Sequence, residues 1–130
     1  MSDARVYKAA VQNKPWGHEV IFAAEEGCYA GKVIHVSAGH SLSLQYHAAK
    51  EETISLLFGE ALVEYGPKPD SLAHARFEPG DTIHLPPGTV HRITAVTDIA
   101  FVEASTADAG WREDVVRLED RYGREGTTAP

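Results

Sequence analysis

The run Ser41-Leu42-Ser43-Leu44-Gln45-Tyr46-His47 decides how the rest of the chain is read. Side chains alternate across a strand, so the run separates into an apolar set (Leu42, Leu44, Tyr46) and a polar set (Ser41, Ser43, Gln45, His47). In the wall of a barrel, Gln45 and His47 would turn toward the lumen and three large apolar groups would need cover from outside. A second layer, the N-terminal segment or another copy of the chain could supply it, and a homodimer is expected. Beyond His47 stands Glu52, heading an apolar run in which Ile54, Leu56 and Phe58 share its face. A short hairpin over 47–52 would return Glu52 to the side of Gln45 and His47. Further on, His91 shares a face with Ile93 and Ala95, which offers a fourth inward polar group on otherwise apolar surface.

The surrounding sequence has the same texture. From Val6 to about Thr106 it breaks into short apolar pieces separated by Gly, Pro, Ser and Asp, with no long stretch of helical period. Strands are expected at 19–22, 31–36, 41–47, 52–58, 60–65, 73–77, 82–85, 90–94 and 99–105, at the spacing of an all-β sandwich or barrel. Gly59, Pro79-Gly80-Asp81 and Pro86-Pro87-Gly88 mark turns, and Gly66-Pro67-Lys68-Pro69-Asp70 marks a loop. After Ser105 the composition shifts to Ala, Gly and charge, and only residues 115–118 could form an ordered element. A single domain over 1–130 is expected, with its core at about 14–106 and a tail, 107–130, packed on the barrel.

Size and charge narrow the function classes. A chain of 130 residues with 43% hydrophobic and 24% charged residues fits one compact domain. Its net charge of −7 argues against nucleic acid or an anionic membrane as partner. No apolar run approaches the roughly 20 residues needed to span a bilayer, and the first residues lack a signal-peptide core, so a cytoplasmic location is expected. Cys28 is the only cysteine, which rules out an internal disulfide or a CxxC site and leaves nitrogen and oxygen as metal donors.

Two spaced strings carry a resemblance: Gly39-x5-Gln45-x-His47-x4-Glu52-x6-Gly59 and Gly80-x5-Pro86-x-Gly88-x2-His91. They resemble the paired motifs of the cupin superfamily, with Gln45 where most members carry the first His. That Gln is similar to the phosphomannose isomerase branch, as are Lys14-Pro15-Trp16-Gly17, the run ending in His47, and the C-terminal segment 113–124. The resemblance covers about residues 14–124, to the C-terminal cupin domain of type II phosphomannose isomerases. It implies a small cupin-type double-stranded β-helix, a jelly-roll barrel. Three departures stand out: Lys50 replaces the family's Arg before the ligand Glu and loses its planar fork; the Asn that often follows the second motif's His is absent; and an Ala-rich stretch, 104–110, precedes the tail.

The resemblance implies a metal held by Gln45, His47, Glu52 and His91. This mixed nitrogen and oxygen set accepts Zn²⁺, Fe²⁺, Mn²⁺, Co²⁺ or Ni²⁺, and the family points to zinc. The implied reaction is aldose–ketose isomerisation of a sugar phosphate through an enediolate, which requires a general base. Lys50 and Glu51 lie nearest the ligands in sequence and are the catalytic candidates. Arg92 and Arg117 are the candidate phosphate holders, followed by Lys14 and Arg76. His84 alternates with Ile83 and Leu85 and is expected outside, while Trp16 and Trp111 are expected to pack. A noncatalytic sugar-binding cupin and an iron or nickel oxygenase are the competing readings.

Overall fold

A computed structural model describes residues 4–128, so the outermost ends of the expected 1–130 unit lie outside it. The strands are β1 (Ala10–Lys14), β2 (Gly17–Glu25), β3 (Tyr29–Val36), β4 (Leu44–Tyr46), β5 (Glu52–Phe58), β6 (Ala61–Gly66), β7 (Ala73–Phe77), β8 (Thr82–Leu85), β9 (Val90–Ala95), β10 (Ile99–Thr106) and β11 (Val116–Glu119). They form two antiparallel sheets, ordered β1-β2-β3-β10-β5-β8 and β11-β4-β9-β6-β7. The all-β jelly-roll expectation is met. One turn of 3₁₀ helix, Trp111–Glu113, precedes β11, and no helix among the described residues is long and apolar enough to cross a membrane.

Period-2 patterning explains both the packing and the site. On β10 the inward stripe is Ile99, Phe101, Glu103 and Ser105; on β5 it is Glu52, Ile54 and Leu56; on β9 it is His91, Ile93 and Ala95, all buried. Each stripe is apolar at one end and polar at the other. The antiparallel register sets Glu52 opposite Ser105 and Leu56 opposite Phe101, which gathers the polar ends into the same half of the barrel. Ile34, Val36, Val63 and Phe77 complete the apolar half from both sheets.

Two expectations change. Residues 10–14 form an edge strand, closed onto β2 by Pro15-Trp16 with Lys14 paired to Gly17. Gly17 is needed there because a Cβ would lie 2.0 Å from the His35 carbonyl oxygen of β3. The strand expected over 41–47 contracts to Leu44–Tyr46, with Ser41 held only by an isolated bridge to Thr94. The break at Leu42 and Ser43 ends strict alternation, so Leu42 packs against the core instead of facing out. Leu44 is buried within the chain itself, and β11 pairs along β4. The apolar set on this run therefore gives no reason for a second copy.

Candidate metal centre

Four chain segments bring the site together. Glu52 opens β5, His91 is the second residue of β9, and Gln45 on β4 stands directly across from His91 in register. His47 follows β4 at the start of the 47–52 connection. Pro86-Pro87-Gly88 turns back through Gly88 at φ 83°, and the Gly88 N–H donates to the His47 carbonyl oxygen at 2.7 Å.

His47, Glu52 and His91 are all buried, and one donor atom from each lies within 4.8 Å of the others. Glu52 Oε1 is 3.2 Å from Nε2 of both imidazoles, whose ring centres are 5.4 Å apart. His47 Nδ1 donates to the Asp114 carbonyl oxygen at 2.6 Å, and His91 Nδ1 to the Thr89 carbonyl oxygen at 2.9 Å. A carbonyl only accepts, so in the neutral rings each Nδ1 carries the proton and each Nε2 offers a lone pair. Both carboxylate oxygens of Glu52 and Nε2 of His91 are buried without a hydrogen-bond partner. Lone pairs converging on one point repel unless something positive lies among them, and a divalent cation satisfies all three residues. The donor set fits a metal. Gln45 lines the adjoining cavity with His47, and its Oε1 accepts from Ser43 Oγ at 2.9 Å.

Lys50 is buried, its Nζ 3.1 Å from Glu103 Oε2 and 3.4 Å from Glu52 Oε2. Burial alone would lower its pKa, but the two carboxylates drive it upward, so the amine is held as a cation. Lys50, a catalytic candidate, thus stands at the site as an ammonium between two carboxylates. Glu51, the other catalytic candidate, is exposed and bonded to His84 Nε2 at 2.5 Å on the outside, because it alternates with the inward Glu52. Arg92, a candidate phosphate holder, lies outside for the same reason. It follows His91 on β9, faces the other way, and is forked onto Glu64 at 2.8 and 3.1 Å with Glu119 beside it. Arg117 is buried and lines the cavity, where Nη1 meets Thr127 while Nε has no partner. Lys14 also lines the cavity, paired with Glu19, whereas Arg76 is exposed on β7 beside Glu60.

Sequence reasoning missed two residues. Glu103 is buried against the cavity; burial and then the charge of Glu52 push its pKa up, while Lys50 opposes them. Its signal was a lone carboxylate on the inward stripe of β10. Asp114 has no such signal, because its partners lie more than sixty residues away in sequence. Around the cavity six cationic residues, Lys14, Lys32, Lys50, Arg112, Arg117 and Arg124, face three acidic ones, Glu19, Glu103 and Asp114. A protein of net charge −7 thus concentrates positive charge in one recess.

Two facing antiparallel sheets with a His, Glu and His cluster in one end define a cupin barrel. The chain belongs to the mannose-6-phosphate isomerase C-terminal family, whose sequence model matches residues 2–120. It is 32% identical over 114 residues to the mannose-1-phosphate guanylyltransferase ManC of Salmonella typhimurium, covering 85% of this chain and 22% of that protein. Mannose-1-phosphate guanylyltransferase 2 of Escherichia coli O157:H7 is 30% identical, covering 86% and 22%. The chain thus spans about a fifth of the length of these relatives. Among solved structures, the capsular polysaccharide assembling protein CapF of Staphylococcus aureus superposes with a TM-score of 0.76 at 16% identity, over 88% of this chain and 33% of that one. Oxalate decarboxylase of Bacillus subtilis gives 0.73 at 15% identity, over 89% and 34%. KdgF of Halomonas sp. gives 0.64 at 18% identity, over 75% and 84%. These likenesses establish the fold.

Proposed function

We propose that the chain is a metal-dependent isomerase domain that interconverts aldose and ketose forms of a sugar phosphate, with zinc as the metal. The observation that carries this reading is the convergence of His47, Glu52 and His91 beside a cation-rich recess. A divalent ion held by His47, Glu52, His91 and Gln45 would supply Lewis-acid polarisation of a substrate carbonyl. The remaining work falls to the chain's own groups. Arg117 and Lys14 would bind the phosphate, and the Lys50 ammonium would donate to a substrate oxygen. The Glu103 carboxylate, buried against the cavity beside Lys50, would take the proton from one sugar carbon and return it to the next. Trp16, Ile34 and Leu42 give the recess an apolar wall that limits water.

Incubating metal-loaded protein with mannose 6-phosphate and following carbon-1 and carbon-2 signals by NMR tests this. Appearance of fructose 6-phosphate is expected. A second reading, a noncatalytic sugar-phosphate-binding domain, is favoured by Lys50, which two carboxylates hold and which lacks the bidentate fork of Arg. Saturable binding without turnover would establish it over the first. A homodimer and a cytoplasmic location belong to the same reading. Phe22 on β2 and Leu57 and Phe58 on β5 are exposed large apolar groups of the larger sheet, and the lone Cys28 suits a reducing compartment. Light scattering on the eluting protein checks the dimer.

A further inference from the structure

We infer that Asp114 is a positioning residue: docking of the C-terminal segment through Asp114 assembles the metal centre, so metal affinity and the order of that segment are coupled. The inference rests on the reading of His47, Glu52 and His91 as metal ligands.

Four hydrogen bonds carry it. The Asp114 carbonyl oxygen accepts from His47 Nδ1 at 2.6 Å, which sets the ring's tautomer and aims its Nε2 at Glu52. The Asp114 carboxylate accepts from three successive backbone N–H groups, with Oδ1 to Ala48 at 2.7 Å and Oδ2 to Ala49 and Lys50, both at 2.9 Å. These N–H groups belong to the connection between His47 and Glu52, the stretch that also carries Lys50. One residue therefore fixes a ligand's ring and the backbone between two ligands. It also satisfies donors that a turn would otherwise leave to water.

Asp114 is itself held firmly. Trp111 and Val115 on either side are buried, and β11 follows at once, pairing Val116 with Tyr46 and Arg117 with Gln45. The segment thus grips the strand that bears Gln45 and His47 through both backbone and carboxylate. Loss of a group that orients a ligand imidazole from behind typically weakens metal binding about 10–100-fold. Coupling of this kind is reciprocal: if the segment tightens metal binding, metal must tighten the segment.

The test uses the full chain with Co²⁺ as a visible-absorbing probe and Zn²⁺ in competition with a chelator. Asp114→Asn is expected to keep the strand signal by circular dichroism, bind either ion about 10–100-fold more weakly, and shift the Co²⁺ visible bands. Asp98→Asn is the control, since Asp98 Oδ1 makes a similar carboxylate bond to the Ala38 N–H at 2.7 Å far from the site; it should bind metal as the parent does. A second measurement needs no variant: saturating Zn²⁺ should slow tryptic cleavage after Arg112 and Arg121, both exposed in the segment. Parent-like affinity and spectrum in Asp114→Asn, or cleavage in the parent protein indifferent to Zn²⁺ that it demonstrably binds, would overturn the inference alone. A parent protein that binds neither ion would overturn the ligand assignment beneath it, and the coupling with it.

Discussion

The Gly88 N–H reaches the carbonyl oxygen of His47 at 2.7 Å, so the turn before one proposed ligand is tied to the backbone of another. Gly88 sits at φ 83°, with open space where a Cβ would project. Gly88→Ala is therefore a strain experiment without a clash. A left-handed conformation at a non-glycine residue costs about 1–2 kcal/mol. Urea unfolding should show a loss of that size, and a metal titration should show weaker binding as the turn relaxes away from His47. An unchanged midpoint would mean that the turn tolerates the side chain and exerts no such grip.

The proposed ligands make a paired prediction. Glu52→Gln removes the only anion of the cluster, and His91→Ala removes a donor whose Nε2 has no hydrogen-bond partner. Both should lower metal content by elemental analysis and melting temperature by calorimetry together, because a ligand that binds only the folded state stabilises it by mass action. At free metal near 1,000 times Kd the linked stabilisation is about 4 kcal/mol. EDTA should lower the parent's melting temperature and leave the variants' almost unmoved. Full stoichiometry in both variants would show that these residues do not hold the ion.

What the sequence reveals here follows from the physics of the inward stripes. Strands 52–58, 73–77 and 82–85 are read at their observed bounds because each alternation stops at or one residue short of a turn signal, Gly59, Pro79 and Pro86. Glu52 and His91 are legible as inward polar residues for the same reason. Residues 10–14 escape notice because an edge strand carrying Gln12, Asn13 and Lys14 has little apolar alternation to display. Run 41–47 misleads in the opposite way, since its alternation is real while its strand is broken at Leu42 and Ser43. Asp114 and the buried state of Lys50 depend on contacts across more than fifty residues, which no local period encodes.

Arg92 tests the outward assignment on β9. Its guanidinium first, against the opposing effect of burial, holds Glu64 below the usual carboxylate range. Glu64 therefore contributes stability above its unfolded pKa, near 4.5, that disappears as pH falls through the lower folded value. Arg92→Ala should cost about 1 kcal/mol at neutral pH, and the gap from the parent should close as pH drops below that range. Metal affinity and any isomerisation should be unaffected, since the side chain lies on the face away from His91. A fall in sugar-phosphate affinity would return Arg92 to the site.

Lys50 poses the sharpest energetic question, because its ammonium sits between two buried carboxylates. Removing it as Lys50→Met leaves Glu52 and Glu103 without a shared counter-ion, and breaking a buried pair from one side costs about 3–5 kcal/mol. Neutralising one carboxylate in the same chain, as Lys50→Met with Glu103→Gln, removes much of the repulsion and should recover part of that loss. The recovered fraction is the coupling between the two residues, read from the four unfolding free energies of a double-mutant cycle in metal-free protein. Additive losses would mean that Nζ and Glu103 do not interact in solution at their 3.1 Å separation. Metal should also narrow the gap between Lys50→Met and the parent, since a cation at Glu52 relieves the same repulsion that Lys50 relieves. A gap equal with and without Zn²⁺ would place the two positive charges in separate environments and detach Lys50 from the chemistry of the site.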